Sequence, residues 1–84
     1  MNNSFIFYKD VAISIPHLVS IECVENELVF VTEAESYHIE VKSADFARFL
    51  MVELVWKFTH THDTFILMDL EVFIEEKERK YVAS

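Results

Sequence analysis

The stretch FTHTHDTF, Phe58 to Phe65, holds the side chains best suited to chemistry. His60 and His62 stand two apart, and Asp63 follows directly. Imidazole nitrogens and a carboxylate are good ligands for zinc, nickel or copper. A His-x-His pair points to one side only on an extended chain; on a helix the two rings diverge by about 200°. If both histidines lie in a joint after Thr59, they can chelate an ion with Asp63, completed by Glu53, His38 or a second chain. If they end a helix, they are polar residues near its negative dipole end, where a cation is mildly favoured. The second reading is adopted. No metal or cofactor is assigned, and His60, His62 and Asp63 remain the candidate metal group.

The order of these residues is similar to the His-x-His-x-Asp-His string of metallo-β-lactamase-like hydrolases. It departs from that string at Asp63, which comes one residue early, and in having no histidine after it. A chain of 84 residues is also too short for that two-sheet sandwich. None of that family's activity is carried over.

Other pairs are weaker. Cys23 with His17 or His38 has the residue types of a nucleophile and its base, but the strand pattern puts Cys23 on a core face and His38 on the opposite one. Glu22 and Glu40 have the types for acid–base work; on an open sheet surface they read as a solvated face. Asn2-Asn3-Ser4 matches the glycosylation string, which has no meaning in the cytosol. Trp56 reads as core or interface.

Composition excludes more than it proposes. The chain has no glycine, so the loops that cradle phosphates, the dinucleotide fingerprint and the nucleophile elbow are absent. Seven Lys and Arg stand against fifteen Asp and Glu, a net charge of −8. Direct binding to nucleic acid or to an anionic membrane is therefore not expected. Hydrophobic residues make up 52% of the chain, enough for a dense core in one folded domain over residues 1–84. The single cysteine, the lack of a basic, apolar leader pattern and the charges within Phe46–Phe58 point to a cytoplasmic protein without a membrane span.

The elements that must position these residues follow from periodicity. LVSIECV (Leu18–Val24), ELVFVTE (Glu27–Glu33) and YHIEV (Tyr37–Val41) each alternate with period two. Two-residue turns at Glu25-Asn26, with Asn26 at positive φ, and at Ala34-Glu35 make them a meander. In that register Val19 faces Thr32, Thr32 faces Tyr37, Phe30 faces Ile39 and Leu28 faces Val41. Val19, Ile21, Cys23, Leu28, Phe30, Tyr37, Ile39 and Val41 form the core face. Ser20, Glu22, Val24, Glu27, Val29, Val31, His38 and Glu40 form the other. Six glutamates and no basic residue lie between Glu22 and Glu40, so that face is expected to be an acidic rim around an exposed valine strip. Phe5–Tyr8 and Val11–Ile15 suggest a further hairpin through Lys9-Asp10, with Pro16 ending its second strand.

Ser43 caps the next element, a helix to about Thr59 with Asp45 in its first turn. Its apolar residues go almost all the way round, so burial on more than one side is expected. Phe49, Val52 and Trp56 are its candidate interface with a second helix or subunit. Thr64 to about Tyr81 fits both a helix (Ile66, Leu70, Phe73, Ile74 and Tyr81 on one face) and a strand (Ile66, Met68, Leu70, Val72 and Ile74 alternating). Length and the Glu/Lys/Arg-rich end favour the helix.

The expected fold is α+β: an antiparallel meander of three to five strands followed by one or two helices packed on one face. The expected function is a non-enzymatic protein-interaction module, homodimeric, meeting a basic protein partner through Glu22, Glu27, Val29, Val31, His38 and Glu40. Small acidic proteins of phages and mobile elements, anti-CRISPR proteins among them, are similar in composition, and that likeness implies an inhibitor that mimics nucleic-acid charge. The alternatives are a metal-binding protein using the His60, His62 and Asp63 cluster, and an accessory subunit of a larger assembly.

Overall fold

The structure, a computed structural model, describes residues 4–61 and 65–83. The fold is α+β. In chain order it comprises β1 (Phe5–Tyr8), β2 (Val11–Ser14), a 3-10 turn (Ile15–His17), β3 (Leu18–Val24), β4 (Glu27–Thr32), β5 (Ser36–Glu40), α1 (Ala44–His60), β6 (Leu67–Asp69) and α2 (Leu70–Ala83). These form two compact units, Leu18–Thr61 and the two ends of the chain, Met1–His17 with His62–Ser84.

The first unit is the expected meander, β3-β4-β5, with α1 packed against β3 and β4. The first hairpin has the expected register near its turn: Val24 opposes Glu27, Cys23 opposes Leu28 and Ile21 opposes Phe30. Three details differ from expectation. Glu25, not Asn26, takes the positive φ of 54°. Asn26 is held instead by β5's far end, its carbonyl accepting from Val41 N at 2.8 Å and its Nδ2 donating to Val41 O at 3.0 Å. A bulge between Leu18 and Ser20 sets Leu18 opposite Thr32, which leaves Val19 67% exposed rather than in the core.

The second hairpin is slid by two residues. Phe30 opposes Tyr37, Leu28 opposes Ile39 and Glu27 opposes Glu40. The cause is the turn chemistry of Thr32. Its N–H donates to Glu35 O at 2.9 Å, its Oγ1 donates to the same oxygen at 2.8 Å, and Oγ1 accepts from Glu35 N at 3.1 Å. The turn closes between Thr32 and Glu35, around Glu33-Ala34, one residue earlier than the expected Ala34-Glu35. A slip of two preserves the faces, where a slip of one would exchange them.

Ser43 caps α1, its Oγ accepting from Phe46 N at 3.1 Å, a contact worth about 1 kcal/mol. Phe46, Ala47, Leu50 and Leu54 are buried on one helix face, and Leu28, Phe30, Ile39 and Val41 are buried in the same unit. Each large side chain contributes roughly 1.5–3 kcal/mol by burial.

The second unit contains the expected β1–β2 hairpin, with Tyr8 opposite Val11 and Phe5 opposite Ser14. Lys9 turns it at φ 53°, in a chain without glycine. Pro16 sits in the 3-10 turn that follows. The segment after Phe65 divides its two readings at Leu70. Leu67–Asp69 is a strand parallel to β1, and α2 follows without a linker. Asp69 makes the switch, its Oδ1 accepting from Glu71 N at 3.1 Å and Val72 N at 3.3 Å. Ile6, Ile13, Met68 and Leu70 are buried. Ser4, fully buried, ties the two chain ends: its Oγ accepts from Ile66 N at 2.7 Å, and its carbonyl accepts from Ile15 N at 2.9 Å.

Candidate functional site

The outer face of β3-β4-β5 carries three cross-strand rows. Val24, Glu27 and Glu40 form one, Glu22, Val29 and His38 the next, and Ser20, Val31 and Ser36 the third. The sheet therefore brings Glu22, Glu27, His38 and Glu40 to one face of adjacent strands. Glu27 and Glu40 are directly opposed, an arrangement that costs a sheet stability. Glu27 is held by His38, with Nδ1 and Oε1 3.2 Å apart, and Glu22 accepts from Ser20 Oγ at 2.8 Å.

The valine strip is not as expected. Val29 is only 4% exposed, in the centre of the middle strand between Glu22 and His38, and Val31 is half-buried. Neither can serve as an exposed apolar contact in the way the alternation suggests. What this face offers a partner is carboxylates and an imidazole.

The second surface is α1. Its sheet-facing stripe is covered, but Val52 is 59% exposed, Trp56 61%, and Val55 is exposed between them, while Phe49 is half-buried and stacks with Phe46 at 6.1 Å. Burial on more than one side is thus not what the described residues show. His60 stacks on the Trp56 ring at 4.3 Å and 11°.

That stack also bears on the metal reading. His60 lies in the last turn of α1 and not on an extended segment. Its Nδ1 is 2.9 Å from Trp56 O and 3.0 Å from Thr59 Oγ1, so that nitrogen is engaged by the helix end. His62 and Asp63 lie outside the described residues. Among those described, no group of three His, Cys, Asp or Glu is placed to hold a metal ion.

Cys23 and His38 fall on opposite faces of the sheet. The thiol faces α1, with Sγ 3.8 Å from Met51 Sδ, while His38 pairs with Glu27 on the outer face. Burial pushes the Cys23 thiol above its usual range, and the Arg48 guanidinium opposes that shift only in part. His17 ends the 3-10 turn after β2.

One surface was not singled out by sequence. On the face of β2-β1-β6 away from Ile6 and Met68, Phe5 and Phe7 lie with Leu67, and the two rings are 6.3 Å apart. Leu67 is 62% exposed, and Phe65 and Phe7 are exposed as well. The signal was the unbroken apolar run Phe5–Tyr8, which marks both faces of that strand as apolar.

Among the described residues no helix is long and apolar enough to cross a membrane. Compared with known proteins, the chain matches no family model, no curated protein and no solved structure.

Proposed function

We propose that this chain is a non-enzymatic interaction module that docks a basic protein partner on the outer face of β3-β4-β5. The observation that carries the reading is the opposition of Glu27 and Glu40 across two strands, with Glu22 on the same face and no Lys or Arg between Glu22 and Glu40. Like charges set opposite each other work against the sheet. A lysine or arginine side chain from a partner relieves that repulsion, so the arrangement favours a bound over a free state. Arginine suits it best, because its planar fork can serve two carboxylates at once.

In its sharper form the module is an inhibitor that fills a basic, nucleic-acid-binding groove in place of phosphates. The seven Lys and Arg against fifteen Asp and Glu support an electrostatic approach to such a groove.

A tagged pull-down from host lysate tests the proposal, comparing wild type with Glu22→Lys/Glu40→Lys at low and high salt. The expected result is a partner retained by wild type, lost in the variant and weakened by salt. Nucleic acid then competes for that partner if the inhibitor form is right. Equal capture by both chains overturns the docking site.

A further inference from the structure

We infer that β5 is an open sheet edge that takes up an extended basic segment of a partner protein, antiparallel to β5, as a fourth strand of the meander. The inference rests on the acidic-face reading for the charge of that segment, and on the strand register for its conformation.

The register determines which backbone groups point outward. At one end of the β4–β5 ladder Val41 N donates to Asn26 O at 2.8 Å, and at the other Thr32 N donates to Glu35 O at 2.9 Å. Antiparallel pairs alternate between bonded and non-bonded positions. Leu28–Ile39 and Phe30–Tyr37 are therefore the bonded pairs between those ends, and Ser36, His38 and Glu40 turn their N–H and C=O away from β4. β5 is the last strand of its sheet, and the same three residues are its exposed ones. The meander's other edge, β3, is a poorer template. A bulge interrupts it between Leu18 and Ser20, and its outward groups past the bulge belong to the uncharged Ile21 and Cys23. β5 has no bulge, proline or lysine to turn a strand away. Its guard is Glu40, which repels an acidic segment and admits a basic one. The net charge of −8 likewise opposes a second copy of the chain.

Side-chain direction gives the occupant its pattern. Residues opposed across a pair of strands share a face. Those set against Ser36, His38 and Glu40 lie on the acidic face, where a lysine or arginine beside Glu40 extends the Glu27–Glu40 row with opposite charge. The residues between them lie beside half-buried Tyr37 and buried Ile39, where apolar side chains suit. The occupant is thus a strand that alternates basic and apolar residues over five positions, the length of β5.

Fluorescence polarisation of a labelled peptide that alternates lysine and valine tests the pairing. Wild type is expected to bind it, less tightly as salt rises. In the antiparallel pair the lysine N–H groups bond β5 and the valine N–H groups point away. N-methylation of the lysine amides is therefore expected to weaken binding about tenfold or more, and N-methylation of the valine amides to leave it within about twofold. His38→Pro removes an outward N–H without touching a β4–β5 ladder bond, and should lose the peptide where His38→Ala keeps it. Thermal melts show whether both variants fold, and the methylation comparison on wild type decides the matter if His38→Pro does not. Binding that falls alike with either methylation or with neither overturns the inference, as does a wild type that binds none of the peptides. Glu22→Lys/Glu40→Lys separates failure here from failure of the acidic face. Binding lost in that variant yet indifferent to methylation keeps the acidic face and overturns the strand. Binding sensitive to lysine methylation but unchanged in that variant overturns the basic occupant.

Discussion

Glu40→Lys is expected to make the protein more stable and functionally blind at once. The register sets Glu40 opposite Glu27. Opposed like charges cost a sheet, and opposed unlike charges support it, by roughly 0.2–1 kcal/mol in each case. Glu40 is exposed and the Glu27 side chain is 38% exposed, so screening holds the combined reversal near about 0.5–1 kcal/mol. For a chain of this size that is a rise of roughly 2–8 °C in Tm. The assay is thermal denaturation by circular dichroism at low and high salt, with the gain shrinking as salt rises. Glu40→Gln removes the repulsion without adding attraction and should fall about midway. Glu22→Lys is the control, because Glu22 opposes Val29 and accepts from Ser20, so it should bring little or no gain while still abolishing docking. The comparison also tests the register. With the turn at Ala34-Glu35, Glu27 would face Lys42 and Glu40 would face Val29, and Glu40→Lys would stabilise nothing. A Glu40→Lys chain no more stable than Glu22→Lys would refute both the pairing and the argument that this face is held against its own stability.

Three further outcomes follow from single residues. Ser4→Ala leaves the buried Ile66 N–H without its acceptor and should cost about 1–3 kcal/mol in urea denaturation, a penalty that Ser36→Ala, at an exposed strand position, should not share. Glu25→Gly removes a left-handed residue that costs about 1–2 kcal/mol and returns part of the gain as chain entropy, so a net stabilisation of about 0.5–1 kcal/mol over Glu25→Gln is expected. Burial raises the Cys23 thiol, so the folded chain holds that proton more tightly than the unfolded one; stability should fall as pH rises through the ordinary thiol range and level off above the folded value, and Cys23→Ser should flatten that limb.

Periodicity carried the fold as far as local chemistry allowed. The alternation of LVSIECV and ELVFVT, and the cap of Ser43, appear in the structure as β3, β4 and the start of α1. The turn residues were harder. Asn26 tolerates positive φ better than Glu25, yet its side chain gains more by bonding Val41, and tertiary hydrogen bonding outweighed local preference. Thr32 closed the second turn one residue earlier than composition suggested because its hydroxyl both donates and accepts around Glu35. Pairing of β6 with β1 joins residues some sixty positions apart, and no local pattern encodes a partner at that separation. A strand of three residues is also too short to stand out beside the helical signal of the segment that follows.

Exposure was the least legible quantity, and it decides which surfaces can act. Alternation put Val29 in an exposed strip, but Val29, set between Glu22 and His38, is only 4% exposed. The apolar count of α1 implied cover all round, whereas a three-stranded sheet covers one stripe and leaves Val52, Val55 and Trp56 in water. The face that can act is then the one whose carboxylates are opposed across β4 and β5: a cation relieves them, so partner capture there should fall as ionic strength rises, and capture that is indifferent to salt would remove the carboxylates from the argument.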